Sequence, residues 1–299
     1  MKKRNNSPIK KKIVIIHHND QDGFGGAWAA WKKFKNRAEY IAADHDKDVP
    51  EGLIDKELYL IDFCYPEAIM RRLLETNKKV VVLDHHVSQQ DIVGISTEHV
   101  YDVDRSGAVI AWQYFFPGEP VPKLLRHIED MDLWQFNISN TKEIIAAMDE
   151  YPFDLKIWNK IIVDIEDKET AKKYLEAGRT ILQYEKRVIE RLLGRAEKVD
   201  FEGHLAYAVN APILESEIGN WIVTHKKAIG IIWSYKGDGI KVSLRSDGKT
   251  DVSALAQRYG GGGHKAAAGF AFDVNMQFPW MRVEKDDGKK NNIRQLKTG

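Results

Sequence analysis

The chain has one cysteine, Cys64, in 299 residues. A single thiol rules out an intramolecular disulfide and fits a reducing compartment, and without a cysteine cluster a structural zinc site is disfavoured. Cys64 follows the apolar run Leu58-Tyr59-Leu60-Ile61 and reads as a small buried residue, not a nucleophile. No apolar run approaches ~18 residues, which excludes a helical membrane span. The basic start has only four apolar residues before His17, too few for a signal peptide, so a cytoplasmic enzyme is the expectation. Charge of one sign is not in excess either. Lys+Arg 45 against Asp+Glu 44 gives a net +1, so bulk charge does not point to nucleic acid. The basic clusters at the two ends, 1–12 and 279–299, read as solvated, disordered tails. There is no internal repeat.

What is present suits a two-domain α/β protein. With 43% hydrophobic residues the chain can fill more than one core. Ile13-Val14-Ile15-Ile16 reads as a buried strand, and Gly23, Gly25 and Gly26 lead into a helix over Ala27 to Phe34. Further strands are expected at 40–43, 58–61, 79–83 and 99–101, alternating with helices, which predicts a doubly wound, mainly parallel sheet. A charged helix over 167–194 suits a connector to a smaller α/β domain. The expected division is 13–165, a connector at 166–197 and a second domain at 198–278.

Polar residues fall repeatedly at the strands' C-terminal ends, where open α/β sheets hold ligands. His18, Asp20 and Asp22 follow the first strand, Asp62 the third, and Asp84-His85-His86 the fourth. If extended geometry runs past Ile16, period-2 alternation sends His18, Asp20 and Asp22 to one side. Crowded carboxylates and imidazoles need a cation, and this mixture suits Mn²⁺ or Mg²⁺. Two such ions sharing a carboxylate activate water against phosphorus, and Asp62 on a central strand is the candidate bridge. Late in the chain, Gly261, Gly262 and Gly263 lead into His264, and the run could bring backbone N–H groups close to a phosphate. Arg245 could hold the same ligand. Ser106 could cap a helix or offer its hydroxyl and the helix start to a phosphate.

These residues together, His18 to Gly23, Asp62, Asp84-His85-His86 and Gly260 to Gly269, resemble the DHH phosphoesterase superfamily with its DHH-associated C-terminal domain. The resemblance spans roughly 13 to 275. It implies two Mn²⁺ ions, one on His18 and Asp20, the other on Asp22 and His85, with Asp62 as the bridge. It also implies a fourth motif acid, for which Asp130 is preferred to Asp132. His86 would face the substrate phosphate as acid or donor, and Asp84 would support the histidines from behind. Arg245, Gly261–Gly263 and His264 resemble the family's grip on the nucleotide. The implied activity is hydrolysis of short oligoribonucleotides or small nucleotide phosphodiesters to mononucleotides, as in the oligoribonuclease and cyclic-nucleotide phosphodiesterase branch. A polyphosphatase or pyrophosphatase is the alternative, and an inactive nucleic-acid-binding module a more distant one. The partners are short RNA or small nucleotides, with no membrane and with a homodimer permitted. The loop Asp44-His45-Asp46-Lys47-Asp48 reads as a solvated turn, and Trp28, Trp31, Trp112, Trp134 and Trp158 as core residues, with a stacking role for Trp134 kept in view.

Overall fold

The structure, a computed structural model, describes residues 9–43, 49–237 and 239–283. The loop Asp44 to Asp48 and most of both basic tails lie outside them. The chain separates into two units, residues 1–183 and 184–299.

The first unit is a five-stranded parallel sheet. In chain order it contains β1 (Ile13–His18), α1 (Gln21–Phe34), β2 (Ala38–Ala43), β3 (Glu57–Ile61), α2 (Glu67–Thr76), β4 (Lys79–Asp84), α3 (Gln90–Val93) and β5 (Glu98–Tyr101). Then come α4 (Gly107–Phe115), α5 (Lys123–Asp132), α6 (Thr141–Met148) and α7 (Leu155–Glu166). The strand order is β2-β1-β3-β4-β5. Strand alternation explains why these runs are apolar throughout: each strand is covered on both faces. Val14, Ile16, Leu58, Leu60, Val80 and Val82 pack with Met70 and Leu73 of α2. Their neighbours Ile15, Tyr59, Ile61, Val81 and Leu83 pack in the other core, with α1, α4 and α7. The expected doubly wound sheet is therefore present.

One local expectation fails. Helix α1 starts at Gln21, not Ala27, because Asp20 caps it: Asp20 Oδ1 accepts the Gly23 N–H at 2.9 Å. Asp22 therefore sits on the first helical turn and not on an extended strand.

Helix α8 (Lys168–Leu193) follows, burying only Tyr174 and Gly178 along its length, and the division between the units falls within it. The second unit carries a seven-stranded sheet ordered β10-β11-β9-β8-β7-β6-β12. Its elements are β6 (Glu197–Phe201), β7 (His204–Asn210), α9 (Glu215–Lys226), β8 (Ile229–Lys236), β9 (Gly239–Arg245), α10 (Val252–Gln257), β10 (Gly262–His264), β11 (Ala267–Asp273) and β12 (Met281–Arg282). Strand β12 pairs with β6, so Met281 and Arg282 are part of the sheet and not of a disordered tail. No helix among the described residues is long and apolar enough to cross a membrane.

Candidate metal centre

In the order β2-β1-β3-β4-β5 the chain reverses its direction of travel between β1 and β3, and a crevice at that point is the usual ligand site. His18 ends β1 and Asp62 directly follows β3, so the two arrive there together. Asp62 adopts φ 57°, a left-handed conformation uncommon for a residue with a side chain. Gly107 makes room for it. A Cβ on Gly107 would lie 2.5 Å from the Asp62 Cβ, so only glycine lets the start of α4 come this close.

That helix start fixes Asp22. The Gly107 and Ala108 N–H groups donate to Asp22 Oδ2 at 2.7 Å and to Oδ1 at 3.0 Å, at the end of α4 where the helix dipole is positive. Asp84 organises the opposite wall. Its fully buried Oδ1 accepts the His85 N–H at 2.7 Å, the His86 N–H at 3.1 Å and the His86 Nδ1–H at 2.8 Å. These bonds set the positions of both imidazoles.

The side chains so placed form one cluster. His18 Nδ1 pairs with Asp20 Oδ2 and lies 3.7 Å from Asp62 Oδ2. His85 Nε2 lies 3.2 Å from Asp62 Oδ1, 3.5 Å from Asp132 Oδ2 and 3.8 Å from Asp22 Oδ2. His86 Nδ1 is 3.7 Å from Asp62 Oδ1. Three sets could each hold an ion: His18, Asp20 and Asp62; Asp22, His85 and Asp132; and Asp62, His85 and His86. Asp62 turns one oxygen toward His18 and the other toward His85.

Whether a cation fits is answered by the buried polar atoms. Asp62 Oδ1 and His85 Nε2 are buried and, among the described residues, have no hydrogen-bond partner. Leaving such atoms unsatisfied is costly, and a divalent ion between them satisfies both. The charges point the same way. Burial first, and then the Asp22 charge, holds the Asp62 carboxyl well above the usual carboxylate range. Asp132 is pushed up to about 8 by burial and then by Asp22. Burial likewise raises Asp22. His18 is drawn up to about 10 by its hydrogen bond to Asp20 and then by Asp62. For His86 burial is the largest influence and opposes protonation, but the hydrogen bond to Asp84 together with the Asp62 and Asp84 charges outweighs it and the pKa rises. Without an ion the cluster therefore takes up protons; the hard oxygen and imidazole donors suit a cation in their place.

Two sequence expectations are corrected. Asp130 does not join the cluster: it accepts the Asn137 N–H at 2.7 Å, the Ile138 N–H at 3.2 Å and the Thr141 hydroxyl at 2.6 Å, which fixes the loop after α5. Two residues apart on a helix point roughly 200° away from each other, so only one of Asp130 and Asp132 can face His85, and it is Asp132. Ser106 is fully buried and caps α4, whose first free N–H groups are taken by Asp22, so it is not open to a substrate phosphate. The glycine run enters an edge strand of the second sheet. Gly262 and Gly263 belong to β10 and pair with Gly269 and Ala268 of β11, and Gly263 adopts φ 139° with a Cβ position 2.6 Å from the Ala267 carbonyl oxygen. Gly261 precedes that strand, packed against Phe270.

His264 remains exposed, and register places it in one row with Ala267 of β11 and Arg245 of β9. Arg245 donates to the Leu244 carbonyl and to Ser216 Oγ, both at 2.9 Å, leaving guanidinium N–H groups over. Cys64 is 1% exposed with its thiol pushed up to about 12 by burial, as a structural cysteine would be.

A carboxylate and imidazole cluster at the reversal point of a parallel sheet, followed by a separate α/β unit, defines a candidate divalent-metal centre in a two-domain α/β protein. Residues 216–279 match the DHHA1 domain. The chain is 29% identical over 299 residues to uncharacterized protein R106 of Acanthamoeba polyphaga mimivirus, covering 91% of this chain and 70% of that one. It is 24% identical over 288 residues to the oligoribonuclease NrnB of Bacillus subtilis, covering 85% and 71%. Among solved structures, the DHH domain of a member of the s1p family of ribosomal proteins superposes with TM-score 0.61 at 14% identity, covering 87% of this chain and 82% of that one. RecJ from Thermus thermophilus, in complex with Mn²⁺, gives TM-score 0.54 at 18% identity over 88% and 50%. Residues 216–279 thus carry a DHHA1 domain, and over most of its length the chain is similar to an oligoribonuclease and shares the fold of a DHH domain.

Proposed function

We propose that this chain is a Mn²⁺-dependent phosphodiesterase acting on short oligoribonucleotides or small nucleotide phosphodiesters, releasing mononucleotides. The observation that carries this reading is Asp62, whose two buried oxygens face two different ligand groups. His18, Asp20 and Asp62 would hold one ion, and Asp22, His85 and Asp132 the other, with Asp62 between them. The ions, when bound, supply Lewis-acid charge that acidifies water and offsets the charge of the phosphate.

The chain's own groups do the rest. Asp84 keeps the proton of His86 on Nδ1 and holds the ring in place. His86, its pKa raised, donates to the phosphate oxygens as negative charge builds on them. The start of α4 orients the Asp22 carboxylate and shares its charge. In the second unit, the row of His264 and Arg245 supplies donors for a terminal phosphate, and the glycines beside it leave the strand edge without side-chain bulk. The similarity to an oligoribonuclease supports the choice of RNA.

A substrate panel with Mn²⁺ tests this: di- to pentaribonucleotides, cyclic mononucleotides, cyclic dinucleotides and polyphosphate. Turnover of a ribonucleotide phosphodiester that Asp62→Ala abolishes is the expected result. Turnover of polyphosphate alone, or of nothing, would overturn the proposal.

A further inference from the structure

Beside the metal centre, within the first unit, lies a second cavity of about 480 Å³ that the proposed chemistry does not use. The end of β1 separates the two: His18 and Asp20 join the acid cluster, whereas the intervening His17 and Asn19 line the cavity. The His17 Nδ1–H donates to the His18 carbonyl at 2.8 Å, which ties the cavity wall to a ligand-bearing residue.

The cavity is elongated. Lys11 lines it ahead of β1 and Asn19 lines it beyond, and eight residues at ~3.3 Å each separate them by about 26 Å. Edge strand β2 contributes Tyr40 and Ala42 along the way. Its chemistry is also uniform along that length. Lys35 and Lys156 line it, Lys11 lines it with its ammonium donating to the Ala38 carbonyl at 2.8 Å and two N–H groups left over, and the one acid there, Asp154, is occupied in capping α7 through the Lys156 and Ile157 N–H groups at 2.9 and 3.0 Å. Aromatic side chains lie among these cations. Phe153 is 42% exposed and stacks on Phe24 with ring centroids 5.0 Å apart, and Trp31 lies under the Lys35 ammonium at 3.7 Å. Trp31, expected to be a core residue, packs against the first core and also lines this cavity.

Spaced cations with aromatic side chains among them match a repeating polyanion that carries flat bases. A single small nucleotide needs neither the length nor three cations. We propose that this groove binds the single-stranded oligonucleotide chain beyond the phosphodiester being cleaved, so that the protein favours substrates several nucleotides long over dinucleotides and cyclic nucleotides. The inference rests on the phosphodiesterase reading above and extends it to substrate length.

Binding is measured in EDTA, where hydrolysis cannot intrude, by fluorescence anisotropy of labelled penta- and diribonucleotides. The proteins are the wild-type chain, the double variant Lys35→Ala/Lys156→Ala, Phe153→Ala and, as a control outside the groove, Lys172→Ala; melting temperatures confirm folding. The wild type should bind the pentanucleotide at least about tenfold more tightly than the dinucleotide. Its log Kd should rise with log salt with a slope of about 2 for three phosphate contacts, falling to about 0.7 in the double variant. Phe153→Ala should weaken pentanucleotide binding about fivefold or more, and the control should match the wild type. Equal affinity for both lengths, or folded groove variants that bind and respond to salt like the wild type, would overturn the proposal. Hydrolysis of both lengths with Mn²⁺ is scored separately. Groove-dependent binding with no hydrolysis would sink the phosphodiesterase reading alone, and hydrolysis with groove-independent binding would sink the groove alone.

Discussion

Asp132→Asn should make the ion-free protein more stable while crippling the metal-loaded one. The Asp132 carboxyl is pushed from 3.8 to about 8 by burial and by the neighbouring Asp22 charge. Fully desolvated, that displacement would oppose folding by ~4 kcal/mol at pH 7. Its side chain is 32% exposed, however, and solvent screening cuts the penalty to ~1–2 kcal/mol. The sign follows from linkage. A carboxyl whose folded-state pKa is raised costs nothing below pH 3.8, where it is protonated folded or unfolded, and its cost grows until about pH 8. Asparagine removes the cost, so in EDTA at neutral pH the variant should melt ~2–8 °C higher than the wild type, and the gap should close in acid. With Mn²⁺ the order reverses: the variant loses a charged ligand, gains less from the ion, and loses activity by ~10²-fold or more. Asp130→Asn is the counterpart. It replaces one of the two oxygens that accept from Asn137, Ile138 and Thr141 with an NH2 donor, leaving a buried donor of that set unpaired, and should cost ~2–3 kcal/mol, or ~4–12 °C, with and without metal. Thermal melts in EDTA and in Mn²⁺ at acidic and neutral pH, alongside turnover, read all of this. If Asp130→Asn abolished the Mn²⁺-induced rise in melting temperature while Asp132→Asn kept it, the assignment would be wrong.

Other substitutions probe the neighbouring supports. Gly107→Ala drives a methyl into Asp62 and should cost ~1–3 kcal/mol together with most of the Mn²⁺ affinity, as read by titration calorimetry. Ser106→Ala should lower stability by about 1 kcal/mol through the lost cap and leave KM unchanged; a raised KM would restore it as a substrate contact. Mn²⁺ affinity should rise with pH toward about 8 with release of protons, seen as a dependence of calorimetric heat on buffer ionisation enthalpy; a pH-independent affinity would contradict the protonated state of Asp132. Arg245→Ala should mainly raise KM, and an equal loss in kcat would place it in the chemistry instead.

Much of the fold was legible because each parallel strand announces itself as a short apolar run with its polar residues at one end. Ile13 to Ile16, Leu58 to Ile61 and Lys79 to Leu83 all became strands, and His18, Asp62 and His85 arrived at the reversal point that strand order creates. What stayed hidden depends on three dimensions. Asp130 and Asp132 are chemically identical in the sequence, and only the turn of α5 and the loop at 137–141 decide which one faces His85. Strands β10 and β12 carry no alternation of their own and exist because β11 and β6 pair with them. Ser106 fits a cap or a phosphate equally well until Asp22 is seen to occupy the helix start. The second cavity draws on 11–42 and 153–156, segments whose meeting no local pattern signals.

The central claim is that Asp62 stands between two divalent ions. Anomalous diffraction from crystals grown with Mn²⁺ addresses it most directly. Two peaks flanking Asp62 are predicted, one bounded by His18 and Asp20, the other by Asp22, His85 and Asp132. No peak at Asp62, or a peak held by Asp130, would contradict the account.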